Sequence, residues 1–484
     1  MNLLTHPKRT VLPFLVTIVL ACFGLLAQVQ AINPTPDGCY PNFTTAEGCD
    51  ALRFLTTGSG NTALGWGSLF FNSSGSFNTG IGAGALALNN GDANTAVGVA
   101  ALLLNTTGFD NTASGEGALQ SNTTGSNNTA TGFKALLLNT EGVENAADGA
   151  FALTSNTTGI GDTATGQAAL FSNTTGSNNT ACGLSALLNN TTASGNTAVG
   201  SQALQTNTTG NLNTANGYQA LLSNTTGASN TANGYQALIN STGSNNTAVG
   251  ALALVANTTG DSNSVVGESA LESNTTGSGN VAVGNFAGFN ATSGDNNVYI
   301  GAVGGVAGES DACYIASIFG ETSINGVPVL INSNNKLGTA TSSKRFKKDI
   351  KPMDKASEAL LALQPVTFRY RKEIDAKETP QFGLIAEQVA EVNPALVIYD
   401  ADGKPYTVRY DAVNAMLLNE FLKEHNAFVE QQRKVQEQGA TIAQLKRDSG
   451  EQQQQIERLT AGLQKISAQL ELSKRAQHPI VIND

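Results

Sequence analysis

The sequence predicts a mainly β protein: a repetitive β-solenoid or β-roll, followed by a small α+β domain and a C-terminal coiled coil. Three observations predict it. A motif of the form NTAVG recurs from Asn61 to Asn297 over 14 intervals, 12 of 17 residues and two of 16. Charge is unevenly placed: residues 32–341 hold 3 basic and 17 acidic side chains, whereas residues 342–484 hold 21 and 20. Finally, an apolar grid of seven-residue period runs from Phe428 to Leu470.

Residues 1–31 read as an export signal. Lys8 and Arg9 precede a mostly apolar run from Val11 to Ala27, and Val29-Gln30-Ala31 ends in small residues as cleavage sites do. No later run approaches the roughly 20 apolar residues that a membrane span needs. The expected location is therefore outside the cell or on its surface, with no membrane span after signal removal. Residues 32–60 form an N-terminal cap. Cys39 and Cys49 flank YPNFTTAEG and would close a short loop as a disulfide, although spacing alone does not fix connectivity. Cys182 and Cys313 have no partner nearby in sequence. No cysteine pair has zinc-site spacing, and past the signal the only histidines are His425 and His478, so no metal or other cofactor is expected. A formal charge of −11, carried by an acidic body, argues against nucleic acid and anionic membranes as partners.

Residues 61–301 are the repeat. In the unit NTAVGVAALLLNTTGFD (94–110), NTAVG suits a short strand and AALLLN a second one. NTTG supplies a turn, because Asn and Gly tolerate positive φ. Gly, Asn and Thr are too frequent for a helical repeat. Fixed-period units of this length stack into solenoids. Asn returning at one place in every coil should form amide ladders. An interior of Ala, Val and Leu alone is thin, which points to chains packing together. The tract resembles the head repeats of trimeric autotransporter adhesins, and that resemblance implies a homotrimer of parallel β-rolls. The C-terminus lacks the barrel strands of those proteins. Residues 302–341, with CYIASIFG and GVPVLIN, read as a β connector.

Residues 426–476 read as coiled coil. Phe428, Val435, Ile442, Ile456, Leu463 and Leu470 share one heptad position, and Leu445, Leu459 and Ile466 fall three residues later. Ser449, Gln431, Gln438 and Gln452 interrupt the seam. Residues 477–484 are a tail.

Between connector and coiled coil lies a unit at 342–425. It contains SSKRFKKDI, LQPVTFRYR, FGLIAEQV and YTVRYDAVNAMLLNEFL, in that order. These motifs resemble the C-terminal intramolecular chaperone of phage tail spikes and fibres, known from endosialidases and shared by membrane-bound transcription factors of the myelin regulatory type. The resemblance implies a self-cleaving dyad of a serine and a lysine five residues on. Here those are Ser342 and Lys347, with Phe346 as the apolar residue between and Ser343 where the family has Asp. The chemistry is coherent. A serine hydroxyl needs a base to take its proton. A lysine is that base only when neutral, which burial and neighbouring cations favour. Lys344, Arg345 and Lys348 supply the cations. The competing interpretation is a solvated basic turn, with Ser342 and Ser343 capping a helix.

The expected function is thus an exported trimeric fibre whose chaperone domain promotes assembly and releases itself next to Ser342, at Thr341–Ser342 or Ser342–Ser343. The alternative is a non-enzymatic surface adhesin that keeps its trimerisation domain. Binding by the regular Thr and Asn rows, to ice or another ligand, is a third reading. The identity of any surface ligand or glycan stays open.

Overall fold

The computed structural model describes residues 41–476 apart from 333 and 401. The expected signal and Cys39 lie outside the described residues. The chain divides into two compact units, one ending at Thr322 and one beginning at Ser323.

The first unit is a parallel β-solenoid of 17 three-residue strands, from β1 (Thr45–Glu47) and β2 (Thr62–Leu64) to β16 (Val298–Ile300) and β17 (Cys313–Ile315). Each strand pairs in register with the next, so Thr45 faces Thr62 and Ala46 faces Ala63. The sheet therefore has one rung before Asn61 and one after Gly301. Sixteen steps of about 4.8 Å give a stack on the order of 75 Å long.

Only NTAVG forms a strand. The run AALLLN, expected to be a second strand, is instead a chain of turns. The reason is packing. In coil after coil two consecutive residues face inward, such as Ala101 and Leu102, both fully buried. A strand would send neighbours to opposite faces. The chain solves this with left-handed backbone at the leucine: φ is 50° at Leu102, 52° at Leu119 and 49° at Leu136. Such a conformation costs roughly 1–2 kcal/mol for a non-glycine residue. It is offset by coil-to-coil hydrogen bonds, such as Leu102 N–H to Ala118 O at 3.0 Å. The glycine closing each strand has a separate cause. At Gly200 φ is 126°, and a Cβ would lie 2.5 Å from the carbonyl oxygen of Gly217 in the next coil.

Asparagine fills the rest of the interior. One buried column runs through Asn61, Asn78, Asn94, Asn111 and onward to Asn297. Asn78 donates from its main-chain N–H (3.0 Å) and from Nδ2 (3.2 Å) to Oδ1 of Asn61, and Asn111 repeats this on Asn94. A second column, Asn105, Asn122, Asn139 and Asn156, links amide to amide at 2.7–2.8 Å. The expected ladders are present. The thin-core argument omitted them: each coil closes on its own Ala, Leu and Asn. At the C-terminal end, Tyr299 replaces the inward Ala and stacks on Tyr314 with centroids 5.7 Å apart.

The second unit is small. It has the hairpin β18–β19 (Val329–Ile331, Leu337–Thr339), a 3-10 segment at Asp354–Ala362, and the hairpin β20–β21 (Val366–Phe368, Gln381–Gly383). Helix α1 (Ala386–Val392) and the hairpin β22–β23 (Val397–Tyr399, Pro405–Val408) follow. Helix α2 (Tyr410–Ala476) has 67 residues, a length of about 100 Å. Among the described residues no helix is long and apolar enough to cross a membrane.

Candidate self-processing site

Ser342 and Lys347 meet across one short turn. Lys344–Phe346 form a single 3-10 turn, in which the Phe346 N–H bonds Ser343 O at 3.0 Å and the Lys347 N–H bonds Lys344 O at 3.1 Å. Lys347 then returns to extended backbone, and its Nζ donates to Ser342 Oγ at 3.0 Å. One turn thus turns a five-residue spacing into hydrogen-bond contact. Ser342 caps no helix, and the side chain of Ser343 makes no capping bond. The next helical segment begins at Asp354. Arg345 lies over the ring of Phe346, 4.6 Å from its centroid. In one chain the turn is exposed, with Phe346 at 59 %.

A second polar cluster has no counterpart in the sequence reading. Ser357 is fully buried, and its hydroxyl donates to Glu420 while accepting from Asn419 Nδ2 at 2.6 Å. Lys423 Nζ reaches Glu420 at 2.7 Å and Ser357 at 3.3 Å. The Lys423 ammonium, then the Ser357 hydroxyl, hold the Glu420 carboxyl below its ordinary range. The cluster pins the first turns of α2 to the 354–362 segment. Its only trace in the sequence is a serine inside the apolar pattern ASEALLAL.

Beside it opens an apolar cleft of about 520 Å³, lined by Leu360, Leu363, Val366, Phe382, Leu384 and Leu417. Among the described residues the buried apolar core of this unit is Val389, Leu396, Val397, Val408 and Met416, with partly buried side chains such as Leu360, Leu384 and Val413 packed against it. Along α2 the heptad side chains stand open: Phe428, Val435, Ile442, Ile456, Leu463 and Leu470 are 54–67 % exposed. Cys49, Cys182 and Cys313 are exposed, and the partner expected for Cys49 lies outside the described residues. Among the described residues no cluster of metal-ligating side chains occurs.

In chain order a solenoid is followed by a small α+β unit and a long helix. Residues 342–398 match the family described as chaperone of endosialidase. Solenoid and domain together fit a fibre protein of the tail-spike kind. No curated protein and no solved structure matches the chain.

Proposed function

We propose that the chain is an exported homotrimeric fibre protein whose segment from Ser342 guides assembly and then cuts itself away. The observation that carries the reading is the 3.0 Å hydrogen bond between Lys347 Nζ and Ser342 Oγ, inside the stretch that matches the chaperone of endosialidase family.

Support for assembly is energetic. A domain with five buried apolar residues beside an open apolar cleft buries too little alone. A 67-residue helix with an exposed heptad stripe needs partner helices. Parallel strand stacks fold through non-local pairings and are slow to find register, so an attached assembly domain has a purpose.

The reaction follows from Ser342. Lys347 in its neutral form takes the hydroxyl proton, and Oγ attacks a carbonyl carbon. Attack on the carbonyl of Thr341 closes a five-membered ring, whereas attack on the carbonyl of Ser342 itself closes a strained four-membered one. Ring strain therefore assigns the cut to Thr341–Ser342. The acyl group passes from nitrogen to Oγ, the released amine of Ser342 takes the proton from Lys347, and water hydrolyses the ester. In a single chain the turn is open to water. The test is N-terminal sequencing of the released fragment. A start at Ser342 supports the mechanism, and a start at another residue refutes it.

A further inference from the structure

We infer that the outer face of the two coils beginning at Asn213 and Asn230 is a binding platform for a neutral, hydroxyl-rich glycan chain. The sequence NTANGYQAL occurs twice without change, at 213–221 and 230–238, and in no other coil. It places Tyr218 and Tyr235 one above the other on the outside of the solenoid. Their rings are parallel within 15°, with centroids 5.7 Å apart, and they are 45 % and 51 % exposed. Parallel rings at this spacing overlap like shingles, so part of each face meets solvent. The apolar C–H face of a sugar ring packs on such a surface.

Amide rows flank the tyrosines. On one side Gln219 Nε2 donates to Gln202 Oε1 at 2.8 Å, and Gln236 Nε2 donates to Gln219 Oε1 at 2.8 Å. On the other side the exposed Asn216 donates from Nδ2 to Asn233 Oδ1 at 3.4 Å. An amide offers two donors and two acceptor lone pairs. Gln219 uses one donor and one acceptor along its row and the other four amides use one or the other, so each keeps at least one donor and one acceptor for a ligand. A sugar hydroxyl, itself donor and acceptor, matches that pair.

Charge defines the class of ligand. Residues 163–260 contain no Asp, Glu, Lys or Arg. Nothing on this stretch pairs with a phosphate, a sulfate, a sugar acid or an amine. The coil rise of about 4.8 Å is also close to the length of one pyranose unit. A glycan lying along the fibre axis would present one sugar to each coil. The platform belongs to the solenoid and does not depend on cleavage at Ser342.

The test uses the full chain on immobilised neutral hexasaccharides: β-1,4-glucan, mannan, α-1,4-glucan and chitin oligomers, with a sulfated glycan as charged control. Binding to at least one neutral oligomer is expected. The double variant Tyr218→Ala with Tyr235→Ala should weaken it roughly tenfold or more, as loss of central aromatic contacts does. Tyr218→Phe with Tyr235→Phe should retain it, because the ring face makes the contact. Circular dichroism checks that both variants keep the solenoid. The proposal is overturned if no neutral oligomer binds at millimolar concentration, or if only the sulfated glycan binds. Equal binding by the alanine variant overturns it too, as does a changed oligomeric state in that variant, which would make the face a subunit contact.

Discussion

Oδ1 of Asp162 accepts two hydrogen bonds from Asn179, from the main-chain N–H at 2.9 Å and from Nδ2 at 3.1 Å. Asp162 occupies a place held by asparagine in the neighbouring coils, and Asn173 also donates to its Oδ2 at 3.0 Å. Burial nevertheless pushes its pKa up from 3.8 to about 7. A protonated carboxyl mimics the amide it replaces; a carboxylate leaves a charge inside the stack.

The sign follows from proton binding. Between pH 3.8 and about 7 the folded chain holds a proton that the unfolded chain has lost, so stability falls as pH rises through that window. One pKa unit is worth about 1.4 kcal/mol, so the loss is on the order of 4 kcal/mol by neutral pH. Asp162→Asn should raise the melting temperature at pH 8 and flatten its dependence on pH between 4 and 8. Equal pH profiles for the two proteins would show that Asp162 does not carry the effect.

Ser241 interrupts the second amide column. Asn257 Nδ2 bonds its Oγ at 3.0 Å, but buried Oδ1 of Asn224 finds no partner. The coil containing Ser241 is one of the two 16-residue coils, and the other has Asn89 at the same position, two residues before a glycine. There Asn89 donates to Asn72 at 3.2 Å and accepts from Asn105 at 2.6 Å. Ser241→Asn should therefore mend the column and stabilise the solenoid by about 1 kcal/mol. Thermal unfolding measures it; a lower melting temperature would mean that the site cannot hold the longer side chain.

The coiled-coil seam gives an association test. Ile456 and Leu459 are 55 % and 64 % exposed in one chain. Ile456→Asp with Leu459→Asp should convert the fragment 342–484 from trimer to monomer, read by sedimentation equilibrium at micromolar concentration. A wild-type fragment that is already monomeric would remove the basis for assembly through this helix.

Much of this was legible in the sequence, for physical reasons. The 17-residue period, the strand at NTAVG and the amide ladder all follow from side chains that repeat in phase. The Ser342–Lys347 pair came from the resemblance of SSKRFKKDI to a family motif; the fold adds the local turn that brings the two side chains into hydrogen-bond contact. The turn run at AALLLN was misread because apolar content was counted without direction. Two adjacent inward residues, as at Ala101 and Leu102, cannot belong to one face of a strand. The Ser357–Glu420–Lys423 cluster was invisible, since it joins residues more than sixty positions apart through the fold alone. The cost of Asp162 was equally hidden, because in the sequence it is one acidic residue among many.

The central claim is that Ser342 cuts its own chain with Lys347 as base, and the mass of the expressed protein tests it most directly. Intact-mass analysis of the wild type should give two products divided between Thr341 and Ser342, whereas Ser342→Ala and Lys347→Ala should each give a single uncut mass. A wild type that stays whole as a folded trimer, or a Ser342→Ala variant processed like the wild type, would contradict the account.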